Sequence, residues 1–141
     1  MEILYSDKNI AVIVKPVGLD SEQEVPAALK EQLGGDLFPI HRLDKNVGGV
    51  MVYAKTPTAA AKLSSQLQQH LLRKQYFAVV HGVPTPSSDS MSDLLFHDRN
   101  KNKTFVVDRE RAGVKRALLD YITQKTVESA TYGVLSLVRV I

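Results

Sequence analysis

The sequence predicts an α+β fold, a mixed, largely antiparallel sheet with flanking helices. Three features carry this expectation. A short β-branched run, residues 9–15, has the near-continuous apolar character of a strand buried on both faces. One clear amphipathic helix opens at Thr56-Pro57. After residue 76 the apolar stretches are short and strand-like, and an early helical part followed by a run of strands is an α+β arrangement.

Taken in order, Pro16 and Gly18 end the first strand. Residues 25–33 read as a short helix, with Pro26 in its first turn and Gly34-Gly35 closing it. A turn through Pro39 leads into a polar loop around His41, and residues 49–55 form a second strand. Thr56 can cap the main helix and Pro57 fits its first position. Its apolar face, Ala60, Leu63, Leu67 and Leu71, predicts a helix to about Arg73. Residues 76–82 form a third strand, and residues 84–90 a Pro- and Ser-rich loop without the character of a domain boundary. Further strands are expected at 94–96, 104–107, 117–123 and 134–140. There are no repeats, and 141 residues fit one compact domain with a single core.

The composition narrows the chemistry. With no cysteine, disulfides, thiolate zinc sites, iron–sulfur clusters and cysteine nucleophiles are excluded. The N-terminus lacks the pattern of a signal peptide, and no apolar run is long enough to span a membrane, so a cytoplasmic protein is expected. The net charge is only +3. It is unevenly spread: residues 99–116 hold Arg99, Lys101, Lys103, Arg109, Arg111, Lys115 and Arg116 against Asp108 and Glu110. A basic segment on a nearly neutral body is the footprint of a nucleic-acid binder, although a solvated hairpin has the same composition.

No phosphate-binding glycine loop, dinucleotide fingerprint, nucleophile elbow or paired-histidine zinc motif occurs. His41, His70, His81 and His97 do not cluster at metal-ligand spacing. What remains is the segment Ile40-His41-Arg42-Leu43-Asp44-Lys45-Asn46-Val47-Gly48-Gly49. Here a carboxylate sits in a polar loop between two cations, which favour its ionised, nucleophilic or basic form. Taken alone, these ten residues read better as a surface ion pair.

Four ordered stretches change that weighting. They are residues 7–19, which include Lys15-Pro16-Val17-Gly18; His41-Arg42-Leu43-Asp44 with its following glycines; Lys74-Gln75-Tyr76 leading into a strand; and Asn102-Lys103-Thr104 followed by residues 113–117 and Tyr121. Together the chain resembles the RluA-type pseudouridine synthases over essentially its whole length. The resemblance implies that fold's catalytic domain and isomerisation of uridine to pseudouridine in structured RNA, with ribosomal RNA ranked before transfer RNA. It implies no cofactor or metal. Asp44 matches the catalytic aspartate, and Tyr76 the tyrosine lying against the target base. Arg42 matches the arginine that fills the space of the flipped nucleotide, with His41 and Leu43 beside it. Lys15, Lys74, Lys101, Lys103, Lys115 and Arg116 are the expected RNA contacts, and the enzyme is expected to be a monomer.

The chain departs from the family pattern in two places. Val47-Gly48 stand where the family commonly has Thr-Ser, which removes hydroxyls that could brace the loop. The family's third motif, with the arginine that pairs with the aspartate, does not follow the last strand, so a catalytic domain incomplete at its C-terminal side is expected, without a separate RNA-binding domain. Three other readings compete: a non-catalytic RNA-binding module; a degenerate or truncated family member, in which the 141-residue chain by itself is inactive; and a hydrolase using Asp44 with one of Asp7, Asp20, Glu31 or Asp36.

Overall fold

The computed structural model describes all 141 residues. The chain divides into two compact units, Met1–Leu72 and Arg73–Ile141. Composition gives no linker signal at this division.

The first unit contains β1 (Glu2–Ser6), β2 (Ile10–Lys15), α1 (Glu24–Leu33), β3 (Phe38–Pro39), β4 (Gly49–Ala54) and α2 (Pro57–Gln68). Its sheet has the order β1-β2-β4-β3, antiparallel throughout. β2 lies at its centre, as its apolar run predicts, but the expected burial on both faces is only half met. Ala11, Ile13 and Lys15 are buried, while Ile10, Val12 and Val14 are half-buried. The fully buried face packs with Val25 and Leu29 of α1, Met51 and Tyr53 of β4, and Leu37. A second cluster joins Ile40, Ala54 and Ala59, with Leu63 and Leu67 of α2 packed against it.

The helix starts follow from local chemistry. Thr56 caps α2 by accepting the Ala59 N–H at 3.1 Å, with Pro57 following it. Asp20 accepts the N–H groups of Glu22 and Gln23, both at 2.8 Å, and Glu24 accepts the Asp20 N–H, which closes the start of α1.

The end of α2 differs from expectation. It stops at Gln68, five residues short, and Leu71 is exposed. His70 adopts φ 56°, its N–H bonds to the Leu67 carbonyl and the Leu71 N–H to the Gln66 carbonyl. This is the paired bonding of a Schellman stop, built on histidine where glycine is usual.

The second unit is a five-stranded antiparallel sheet of order β5-β9-β8-β6-β7. Its strands are β5 (Tyr76–His81), β6 (Ser88–Asp98), β7 (Lys103–Val107), β8 (Val114–Ser129) and β9 (Gly133–Val140). The expected strands all fall here, but β6 and β8 are much longer than predicted, and Ser88 to Ser90 belong to β6 and not to a loop. β8 carries a bulge between Thr123 and Lys125. Few side chains of this unit are buried. Ser136 is, and its hydroxyl donates to the Gly82 carbonyl at 2.7 Å and lies 2.9 Å from the Thr126 hydroxyl. No helix of the chain is long and apolar enough to cross a membrane.

Candidate active site

The segment from Ile40 to Gly49 bridges β3 and β4, and its first residue is anchored in the second core cluster. Its main chain is held from beneath by two buried side chains that are distant in sequence. Lys15, the last residue of β2, is 1% exposed. Its ammonium donates to the carbonyls of Val47 at 2.7 Å, Pro16 at 3.0 Å and Lys45 at 3.4 Å. Ser21, also 1% exposed, donates to the Leu43 carbonyl at 2.8 Å and accepts the Leu43 N–H at 3.2 Å. Tyr53 in turn donates to the Ser21 carbonyl at 2.7 Å, and burial raises its phenol pKa well above the ordinary value. Two further backbone bonds shape the loop: the Val47 N–H to the Asp44 carbonyl at 2.9 Å, and the Gly18 N–H to the Lys45 carbonyl at 2.7 Å.

Gly48 suits this close approach. A Cβ there would lie 3.3 Å from both the Lys15 carbonyl and a Val17 methyl. The braces that Val47-Gly48 cannot supply through hydroxyls therefore come from elsewhere, as the Lys15 ammonium and the Ser21 hydroxyl.

The loop so held presents its charged side chains to solvent. The Asp44 side chain is 82% exposed. Arg42 lies 4.0 Å from it and 3.2 Å from Glu22. Lys45 turns to Glu24 at 3.1 Å. Of the two cations expected to flank Asp44, Arg42 is thus shared with Glu22 and Lys45 is drawn to Glu24 at the start of α1. Backbone N–H groups hold the Asp20 carboxyl below its usual range, those of Glu22 and Gln23 foremost. The Asp20 N–H and then Lys45 do the same for Glu24.

One sequence expectation is corrected here. Lys15 was expected to contact RNA, but its ammonium is enclosed by three carbonyls and cannot reach a phosphate. Leu43, expected at the base, packs in part against the first core cluster and is half-buried. His41, Arg42 and Asp44 remain together on the loop, with His41 half-buried. Sequence reading missed Ser21 and Tyr53, whose local sequence carries no motif. A cavity of about 340 Å³ in this unit is lined by Asp7, Asn9, Ile10, Thr58, Lys62 and Gln66, among others, and none of its lining comes from the Asp44 loop. No group of three or more His, Asp or Glu side chains is placed to hold a metal.

The second unit carries the other expected residues. Tyr76 opens β5, opposite Val140, and is 39% exposed; Lys74 precedes it in solvent. Lys101 lies in the β6–β7 turn and Lys103 opens β7. Lys115 and Arg116 begin β8 on opposite faces of the sheet, and Arg116 pairs with Glu110 at 3.0 Å. Arg111, singled out by no motif, sits over the Phe96 ring at 4.7 Å.

Comparison with known proteins assigns the class. The family model of RNA pseudouridylate synthase matches residues 7–138, and the chain belongs to that family. It is 34% identical over 143 aligned residues to tRNA pseudouridine synthase C of Salmonella typhi, covering 92% of this chain and 53% of that protein. A Mycoplasma pneumoniae protein, described as an uncharacterized RNA pseudouridine synthase MG209 homolog, is 37% identical over 138 residues, covering 92% and 45% respectively. The chain therefore spans about half the length of these relatives. Among solved structures, human RNA pseudouridylate synthase domain containing 4 superposes with a TM-score of 0.75 at 28% identity, covering 99% of this chain and 57% of that one. Human RNA pseudouridylate synthase domain containing 1 shares the fold, with a TM-score of 0.83 at 17% identity over 99% and 58%.

Proposed function

We propose that the protein isomerises uridine to pseudouridine in structured RNA, with Asp44 as the reacting carboxylate. The observation that carries this reading is the Asp44 loop. An exposed carboxylate stands on a main chain held by Lys15 and Ser21, within a chain matched to the RNA pseudouridylate synthase family. A group that must meet a large substrate has to be accessible, and one that must act at a single carbon has to be held still.

In the proposed reaction the bond between the sugar and uracil N1 breaks as Asp44 assists at the sugar carbon. The uracil turns and rejoins through C5, and the C5 proton leaves. No electrons are gained or lost, and the product keeps every atom of the base except that exchanged proton. Extruding the nucleotide costs roughly a few kcal/mol, which phosphate contacts from the basic segment at 99–116 offset. Tyr76 is assigned to the base and Arg42 to the vacated space. Ribosomal RNA was the first expectation for the substrate. The name of the Salmonella typhi relative instead favours transfer RNA as the first substrate to test.

The test is release of label from C5-tritiated uridine in transfer and ribosomal RNA transcripts, with the product identified as pseudouridine. Asp44→Asn is expected to abolish the product while leaving RNA affinity within about twofold, since the side chain is exposed and its one charge contact lies at 4.0 Å. Undiminished turnover in that variant, or release of free uracil by the parent, would overturn the proposal.

A further inference from the structure

The β6–β7 hairpin carries a surface that the Asp44 chemistry does not use. Phe96 and Phe105 stand directly opposite each other across the two strands, so both rings lie on one face of the sheet. Phe105 is 42% exposed and Phe96 is half-buried. Gly113, at φ 84°, passes the edge of Phe96 without a side chain to cover it. Above the rings lie cations. The Arg111 guanidinium is 4.7 Å from the Phe96 centroid, and the Lys101 ammonium is 5.9 Å from that of Phe105. Lys103 belongs to the same face.

The neighbouring anions are Asp98, directly opposite Lys103 on this same face, together with Asp108 beside Arg109 and Glu110. Asp98 accepts the N–H groups of Asn100 and Lys101, and Glu110 pairs with Arg116. Arg111, Lys101 and Lys103 have no carboxylate within 4 Å. The ring pair therefore carries two cations, Arg111 and Lys101, neither of them in an ion pair.

We propose that this surface is a stacking platform for unpaired RNA nucleotides. Bases lie on Phe105 and on the Arg111–Phe96 stack, while Lys101 and Lys103 take the adjoining phosphates. Each component suits that ligand and no other common polyanion as well. Aromatic rings and guanidinium planes accept the faces of unstacked bases, and the ammonium groups accept the backbone. In duplex RNA the base faces are already stacked on one another and unavailable. The platform would hold a single-stranded segment of the same RNA whose uridine reacts, so it rests on the RNA-modifying function proposed above.

The test uses the whole chain, a labelled single-stranded RNA of about 12 nucleotides and the matching duplex, followed by fluorescence anisotropy between about 50 and 200 mM salt. Phe105→Leu keeps apolar volume and removes the ring. It is expected to weaken single-strand binding about tenfold, leave duplex binding within about twofold, and leave the salt dependence unchanged. Arg111→Gln, at an exposed position that the fold does not depend on, is expected to weaken single-strand binding similarly and to lower the salt slope by roughly one ion. Lys115→Gln, on the opposite face, is expected to weaken both ligands alike. If the parent binds RNA but both Phe105→Leu and Arg111→Gln leave single-strand affinity unchanged, or lower both ligands equally, the platform is overturned and the Asp44 reading stands. Equal affinity of the parent for polyglutamate of matched charge would overturn it too. A parent that binds neither RNA overturns the platform and removes the RNA-modifying function with it.

Discussion

Replacing Lys15 by methionine isolates what the buried ammonium does. The substitution keeps the length and apolar stem of the side chain and deletes the charge. The Val47 carbonyl at 2.7 Å, the Pro16 carbonyl at 3.0 Å and the Lys45 carbonyl at 3.4 Å lose their donor. The Lys45 carbonyl keeps the Gly18 N–H, so two carbonyls are left bare. Pro16 and Val47 are exposed residues, so about 1–3 kcal/mol for each fully buried unsatisfied group caps the gross loss at about 2–6 kcal/mol. Methionine also relieves the desolvation of an ammonium whose three partners are all neutral, which offsets several kcal/mol of that. The expected net destabilisation is about 2 kcal/mol, or about 10 °C in the melting midpoint of a unit of this size. The local signature matters more than the midpoint. The Val47 and Gly18 amides, which close the Asp44 loop, are expected to exchange with solvent about tenfold faster relative to the Ile13 amide in β2. An unchanged midpoint together with an unchanged exchange ratio would refute the brace.

Three further outcomes follow from the same loop and its supports. Asp44→Asn is expected to leave the melting midpoint within about 2 °C, because an exposed side chain with one distant partner contributes little to stability. A large drop would mean that Asp44 is structural. Ser21→Ala leaves the N–H and the carbonyl of Leu43, in successive peptide groups, without their buried partner and is expected to cost about 2–3 kcal/mol, read by denaturant unfolding. Acid is expected to destabilise the first unit. Asp7, Asp20, Glu24 and Asp36 all have carboxyl pKa values lowered by folding, so the folded state binds fewer protons than the unfolded chain. Their contribution is fully present at neutral pH and is lost as pH falls below about 4. Melting at about pH 3 should therefore occur below the neutral midpoint; an equal or higher midpoint contradicts it.

The parts of the fold legible in the sequence were those fixed by neighbours along the chain. β2, β4 and the start of α2 announce themselves through apolar runs, Thr56 and Pro57. The end of α2 did not, because its stop uses His70 in a conformation that sequence reading reserves for glycine. The edge strand β1 is mostly exposed and carries no clean alternation. The first half of β6, Ser-Asp-Ser-Met-Ser-Asp, is exposed on both faces and so reads as loop. The same limit governed the site. Asp44 was found through an ordered set of motifs, but its supports come from 22 to 32 residues away. Lys15 was assigned to RNA on the resemblance, and lysine is rarely enclosed. Nothing in the order of residues says that a carbonyl cage awaits it.

The manner in which the Asp44 loop is held has an evolutionary consequence. Lys15 and Ser21 grip peptide groups, and a peptide group is present whatever side chain the residue bears. Positions 42, 44 and 45 can therefore exchange their charges without loosening the frame. Loss of chemistry at this site need not be accompanied by loss of the fold. A descendant of this chain could lose the Asp44 carboxylate in a single substitution and persist as a well-formed protein, open to recruitment for another task.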